Sequence, residues 1–208
     1  MIFNRKKESN VQRSPIRPWT ITGISQFFYQ NSSLRVAVLF TVIFSGYLFL
    51  VFMVKGAGFE LPGSPIKSLG TSFGFDQADI IVFLSARSDE MIKAYISFNQ
   101  VWDTIFGLTY GLMYVVWVSV LFKPISHKAG FLNLFPFVQV LFDWLENYEL
   151  ALLANQYLAE GIIYSLNAQL ASVFSMIKWA CSGLTYTMIL IGLILMVARA
   201  ITRRKQPG

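Results

Sequence analysis

Four long apolar runs alternate with polar segments along the chain, at about residues 34–54, 97–122, 134–155 and 170–198. A helix rises 1.5 Å per residue, so about 20 apolar residues cross the roughly 30 Å hydrocarbon core of a bilayer. Each run is long enough for one crossing. The pattern predicts an all-α fold, a four-helix transmembrane bundle, with a membrane domain over residues 34–198.

The two ends of the chain are basic. Residues 1–33 form a basic N-terminal segment in which residues 21–29 are expected to form a short interfacial helix, and residues 199–208 form a basic tail. The connector 123–133 is also basic, whereas residues 156–169 contain no Lys or Arg. Because basic residues concentrate in cytoplasmic loops, we expect a multi-pass protein of the plasma membrane (bacterial inner membrane) with both termini cytoplasmic.

The segment between the first two runs contains a loop and two helix signals. Residues 55–77 are rich in glycine and proline and are expected to form a loop. Residues 78–86 predict a short amphipathic helix in this first outer loop, which lies against the membrane or caps the bundle. Ser88, followed by two acidic residues, is typical of a helix N-cap and predicts a helix that continues unbroken to Phe122.

Composition supports a membrane protein and excludes several kinds of site. The chain of 208 residues is 55% hydrophobic and only 13% charged, whereas soluble domains carry about 25% charged residues. The net charge of +6 lies mainly beside the apolar runs, so it indicates membrane orientation and no nucleic-acid partner. The single cysteine, Cys181, and single histidine, His127, argue against a disulfide, haem or zinc. We therefore expect no cofactor and no metal.

Polar residues recur at helical spacing inside three of the runs. They are Asn99, Asp103, Gly107, Tyr110 and Tyr114 in the second run, Gln139, Asp143, Glu146 and Asn147 in the third, and Ser175, Lys178, Ser182 and Thr185 in the fourth. A charged side chain in hydrocarbon costs at least about 2.5 kcal/mol on insertion scales, so such groups usually face a bundle interior and mark functional sites.

The charge balance of these stripes suggests the chemistry. Asp103, Asp143 and Glu146 face one ammonium group, that of Lys178. Either one or two acids are protonated, or a cation or water compensates, and a protonated acid beside an ionised one suits acid–base work or proton coupling. The candidate catalytic residues are Asp143, Glu146 and Asp103, and the candidate binding or orienting residues are Asn147, Tyr110, Lys178, Gln139 and Tyr114.

Structural interpretations of the same residues stay open. The acidic residues of the third run could form only a hydrogen-bond network between helices, and Asp103 could simply pair with Lys178. Lys178 could instead extend outward to the membrane surface. Tyr110 and Tyr114 fit packing as well as chemistry. Glycines at positions 107 and 111 form a small-residue pair that is typical of close helix packing.

Three short motifs resemble a group of small bacterial four-helix integral membrane proteins that carry Asp-x-x-Glu-Asn in the third helix and have no assigned activity. The motifs are DWLEN at 143–147, GFDQAD at 74–79 and VWDTIFGLTY at 101–110. The resemblance covers roughly residues 34–198. It implies that the shared positions are Asp103, Tyr110, Asp143, Glu146 and Asn147.

Three classes of function are compatible with these residues. The leading hypothesis is a buried acidic polar site that binds a small lipophilic molecule and, if the protein is an enzyme, transforms it by acid–base chemistry. The alternatives are a proton- or cation-coupled transport component that acts as an oligomer, and a structural or accessory membrane subunit. The expected partners are membrane lipids, the lipophilic molecule, and further copies of the chain or a larger membrane complex.

Overall fold

The computed structural model describes residues 20–51, 53, 58–66 and 68–204, and all regular structure within these ranges is helical. The predicted all-α fold is therefore confirmed. The helices are α1 (Ile21–Asn31), α2 (Leu34–Leu50), α3 (Gln77–Ser85), α4 (Asp89–Ser97), α5 (Thr104–Phe122), α6 (Ser126–Ala129), α7 (Pro136–Glu160) and α8 (Ser165–Arg204). The predictions for the basic residues at 1–19 and 205–208, and for loop residues 55–57, fall outside the described residues.

Two helical stretches are long and apolar enough to cross a membrane by themselves, Asp89–Ile125 and Ser165–Thr202. Helices α1 and α2 meet the same criterion only as a pair, and a bend of 101° separates them. Helix α7 is as long as a span but carries several acidic residues in its middle. Of the four predicted spans, length and composition thus support two within the described residues, or three if the bent pair is one span.

The helix-start signals in the sequence are confirmed. Ser88 accepts a hydrogen bond from the Met91 backbone N–H and caps α4. Asp76 and Asp79 form a reciprocal capping box at the start of α3. At the C-terminal end of α7, Gly161 adopts the left-handed conformation with φ 70°, which glycine allows without a steric penalty.

The helix predicted to run unbroken from Ser88 to Phe122 contains a π-helical segment, Phe98–Asp103, between α4 and α5. A π-turn adds one residue to a helical turn and rotates the residues after it by about 100° around the helix axis. The helix nevertheless continues from Asp89 to Ile125, so the prediction of one unbroken helix is confirmed and only the π-turn was not foreseen. The rotation lets α4 and α5 present different faces to the two parts of the protein that they join.

One end of the molecule is a compact apolar core that we call the cap, formed by the loop before α3, by α3 and α4, by the end of α7 and by the start of α8. Its buried members include Phe59, Leu69, Phe83, Tyr95, Leu153 and Ala171. Helix α3 buries Ile80, Phe83 and Leu84 in this core. Of the two placements predicted for the short helix, the structure shows the one in which it caps the bundle.

At the opposite end, helix α1 is held against the α5–α7 connector. The fully buried Asn133 side chain donates hydrogen bonds to the Ser25 carbonyl (3.0 Å) and to Ser119 Oγ (2.9 Å), and it accepts one from Ser25 Oγ (2.6 Å). Lys123 Nζ donates to the carbonyls of Gln30 and Ser32 at the end of α1. The helix predicted at 21–29 is thus present and fixed by polar contacts.

Helices α5 and α7 approach each other closely at two glycines. A Cβ atom added to Gly107 would lie 2.7 Å from Asp143 Oδ2, and one added to Gly111 would overlap Val140 Cγ2. Real Cβ atoms do not approach other atoms this closely. The close helix packing predicted from the small-residue pair is confirmed.

Replacing Gly111 with alanine should lower the free energy of unfolding by about 1–3 kcal/mol, because the new methyl group overlaps Val140 and forces the helices apart. Gly46 on α2 has open space around it, so Gly46→Ala should leave stability unchanged or raise it by up to about 1 kcal/mol. Thermal and denaturant unfolding in detergent measures both variants. Equal effects of the two substitutions would contradict the close packing.

Candidate functional site

The described structure contains a cavity of about 760 Å³ between the helices and beneath the cap. Residues of α2, α5, α7 and α8 line it, together with residues of the loop before α3. The cavity is open to the outside rather than sealed. Its volume is within the roughly 300–1,000 Å³ that binds drug-sized molecules.

A continuous row of aromatic rings forms one wall of the cavity. Neighbouring centroids along the row are 5.5 Å apart for Phe44–Phe106 and Phe106–Tyr110, and 5.7 Å apart for Tyr110–Tyr114 and Tyr114–Tyr186. These five residues, which we call the aromatic wall, bring together rings from α2, α5 and α8. The wall gives the cavity a large apolar surface that also carries phenol hydroxyls.

The charged end of the cavity is built around Lys178 of α8. Its ammonium group lies 3.4 Å from Asp143 Oδ1 and forms a closer ion pair with Glu146. It also donates a 2.9 Å hydrogen bond to the carbonyl of Gly70 in the loop that covers the cavity. Lys178 is only 6% exposed. It therefore does not extend outward to the membrane surface, and one of the structural interpretations of its role is wrong.

Asp103 reaches the same end of the cavity from the last position of the π-helical segment. It is close enough to Asp143, Glu146 and Lys178 for electrostatic interaction. The ion pairs of Lys178 in the described structure are with the two acids of α7, so Asp103 is not its salt-bridge partner. Asp103 is half-buried, and it lines the cavity.

The π-helical segment is stabilised by side chains from neighbouring helices. Tyr47 Oη of α2 donates a 2.9 Å hydrogen bond to the Trp102 carbonyl, and Trp144 Nε1 of α7 donates one of the same length to the Thr104 carbonyl. A π-turn leaves carbonyl groups accessible to such donors, and these irregular turns are frequent at functional sites. The contacts fix the position from which Asp103 points into the cavity.

The structure brings together all eight residues predicted for the site, but in two layers. Six of them line the cavity: Asp103, Tyr110, Tyr114, Gln139, Asp143 and Lys178. Glu146 and Asn147 are 0% and 1% exposed and are not part of the lining. Glu146, a predicted catalytic residue, thus does not line the cavity, and its carboxylate forms an ion pair with Lys178 instead.

Several residues of the site were missed in the sequence. Glu60 and Gly70 come from the long loop, and nothing in a glycine- and proline-rich segment indicates which residue will meet the bundle. Tyr186 could have been found, because Lys178, Ser182 and Tyr186 follow the four-residue spacing of one helix face. Phe44 carries no signal that distinguishes it from the lipid-facing residues of α2.

The polar residues of α8 connect the site to the cap. Ser175 Oγ donates a 2.8 Å hydrogen bond to the Ser72 carbonyl, and Ser172 Oγ accepts one of 3.0 Å from the Phe75 backbone N–H. Near the cap, Asn167 donates to Glu149 Oε2 at 2.9 Å and joins α8 to α7. Within the described ranges no group of three His, Cys, Asp or Glu side chains is arranged to hold a metal ion.

Replacing Lys178 with methionine should destabilise the fold by about 3–5 kcal/mol, because it leaves the buried Glu146 without its opposite charge. The double variant Lys178→Met/Glu146→Gln should recover part of that loss. Lys128 is exposed in the α5–α7 connector, so Lys128→Met is a matched control. The measurement is unfolding in detergent. If Lys178→Met unfolds no more easily than Lys128→Met, the buried ion pair is contradicted.

Comparisons of the chain with protein-family models, with curated protein sequences and with solved structures found no match, so the functional conclusion depends on the geometry of the site itself.

Proposed function

We propose that the protein is a multi-pass integral membrane protein whose cavity binds a small lipophilic molecule with a polar head group. The observation that carries the proposal is the combination found in the cavity, an aromatic wall that leads to a buried cluster of carboxyl groups around one lysine. An apolar tail fits the wall, and a head group that forms hydrogen bonds fits the charged end. Pockets that are mostly apolar with a few convergent polar groups are typical of small-molecule sites.

The surface of the helices supports placement in a membrane. Large apolar side chains point outward along α2 and α8, including Leu34, Leu39, Val42, Phe49, Leu184, Leu190, Ile191, Ile194 and Val197. Soluble monomers rarely expose contiguous apolar surface beyond a few hundred Å². In the middle of α7, Asp143, Glu146 and Glu149 face inward, whereas the outer surface carries Leu141, Trp144 and Tyr148. We therefore include α7 as a fourth spanning helix despite its charges.

The proposed orientation places both termini and the α5–α7 connector in the cytoplasm of a bacterial cell, and the cap on the outer face of its inner membrane. Helix α1 would then lie along the cytoplasmic surface, because it bends 101° away from α2 and exposes Ile21 and Phe27. A helix with an apolar exposed face parallel to the surface is typical of interfacial helices.

This topology predicts opposite labelling of two engineered cysteines in a background with Cys181→Ala. Ser85→Cys in α3 should react with a membrane-impermeant maleimide in intact cells, and Lys128→Cys should react only after the membrane is permeabilised. Both positions are exposed on the surface of the protein, so access through the membrane decides the result. Labelling of both cysteines from the same side would reject the four-span topology.

Acid–base conversion of the bound molecule, if it occurs, is assigned here to Asp103 and Asp143. Both line the cavity, and they differ in environment because Asp143 lies beside the Lys178 ammonium whereas Asp103 does not form an ion pair in the described structure. Two carboxylates held in different environments can divide the roles of acid and base. Coupled transport and a purely structural role stay predictions from the sequence, and no contact in the site favours either.

Blocking the cavity should remove a molecule that co-purifies with the protein. Leu48 lines the cavity on α2, so Leu48→Trp fills part of it, whereas the adjacent Phe49 points outward and Phe49→Trp is the control. Native mass spectrometry in mild detergent should show a bound small molecule on the wild type and on Phe49→Trp, and a clear loss on Leu48→Trp. Equal occupancy of both variants, or none on the wild type, would overturn the proposal.

A further inference from the structure

The cavity carries more negative than positive groups. Three carboxylates, those of Glu60, Asp103 and Asp143, and one ammonium group, that of Lys178, belong to its lining within the described residues. Glu146 adds a further carboxylate directly behind Lys178. Carboxyl groups therefore outnumber ammonium groups around a bound head group.

Lys178 already has partners within the protein. A lysine ammonium group has three N–H donors and no acceptor. In this structure it contacts three acceptors, Asp143 Oδ1, a Glu146 carboxylate oxygen and the carbonyl of Gly70. An anionic head group such as a carboxylate or a phosphate would have to compete with Asp143 and Glu146 for Lys178, and it would be repelled by any of these acids that is ionised.

Acceptors at the same end of the cavity are still available. Gln139 Oε1 is a buried oxygen without a hydrogen-bond donor among the described residues, whereas Asp143 has Lys178 and the Tyr110 hydroxyl beside it; the side chains of Gln139 and Asp143 are both 4% exposed. The Asp103 carboxylate lies beside them on the cavity side. Buried acceptors without a donor are costly, so a ligand that supplies N–H groups is favoured over one that supplies further acceptors.

The aromatic wall also favours a positively charged ligand. The faces of aromatic rings carry negative potential and attract cations positioned within about 6 Å of the ring centroid. Tyr110 and Tyr114 of the wall line the cavity together with Asp103 and Asp143, and Trp179 of α8 adds another ring. A cation held here would contact carboxylates on one side and ring faces on the other.

We infer that the ligand of the cavity is a cationic amphiphile, with an ammonium group at the Asp103–Asp143 end and an apolar tail along the aromatic wall. This inference rests on the proposed function and specifies its ligand class. The ammonium group could belong to a free lipophilic amine or to the head group of an aminophospholipid. The chemistry that the site recognises is the same in both cases.

The test compares amphiphiles with the same tail and different head groups on the purified wild-type protein. Saturable binding of radiolabelled dodecylamine, dodecanol and dodecanoate is measured in dodecyl maltoside, with partition into empty micelles subtracted. We expect dodecylamine to bind at least about tenfold more tightly than dodecanol, since a hydrogen bond to a charged group is worth that factor or more. We expect no saturable binding of dodecanoate.

Two aspartate variants locate the ammonium group. Asp103→Asn should weaken dodecylamine binding by about tenfold and leave dodecanol binding unchanged, because only the charge contact is lost. Asp89 is exposed at the start of α4, so Asp89→Asn is the same chemical change away from the cavity and should alter neither affinity. Gel filtration checks that both variants fold. If Asp103→Asn does not fold, the comparison of head groups on the wild type decides whether the site selects a cation.

The outcomes separate this inference from the proposed function. Dodecanol or dodecanoate binding as tightly as dodecylamine would overturn the cationic selectivity and leave the lipophilic site intact. Saturable binding of none of the three would overturn both. Displacement of dodecylamine by phosphatidylethanolamine but not by phosphatidylglycerol assigns the ammonium group to a lipid, and displacement by neither assigns it to a free amine. Equal displacement by both lipids would contradict recognition of the cation.

Discussion

The buried ammonium group of Lys178 is the contact on which the rest of the site depends. It joins α8 to two acids of α7 and to the carbonyl of Gly70 in the covering loop. Removing ions from water is expensive, and only nearby opposite charge and complete hydrogen bonding offset that expense. Lys178 has two carboxyl groups beside it and donates a hydrogen bond to the Gly70 carbonyl, and these contacts offset the expense of its burial. The contact therefore fixes the spacing of the two longest helices and the position of the loop together.

The polar residues around Lys178 lie in two layers. Glu146 and Asn147 are closed off from the cavity and serve the packing of the helices, whereas Asp143 and Asp103 lie against open space. A network whose charges were fully compensated would behave only as a structural element. On the cavity side carboxyl groups outnumber ammonium groups, and the proposed cationic ligand would supply the opposite charge there.

The irregular backbone of the π-helical segment and the close packing of α5 against α7 together set the positions of Asp103 and Asp143. The π-helical segment turns Asp103 toward the acids of α7, and side chains from α2 and α7 bind the carbonyls that the widened turn exposes. The glycines at 107 and 111 allow α7 to approach α5 where Asp143 and Val140 project. The loop that carries Gly70 and Ser72 covers one end of the cavity, and hydrogen bonds from α8 hold it there.

The sequence by itself determined the helical elements, their caps and the polar stripe of each inner helix. These features depend on local spacing, as the N-cap at Ser88 and the buried face of Ser175, Lys178 and Ser182 show. Only the tertiary structure decided which carboxylates reach the cavity, where the π-turn falls, and which loop carbonyl Lys178 binds. Those outcomes depend on the relative rotation of helices and on contacts between residues as distant as Gly70 and Lys178, and helical periodicity carries no information about either.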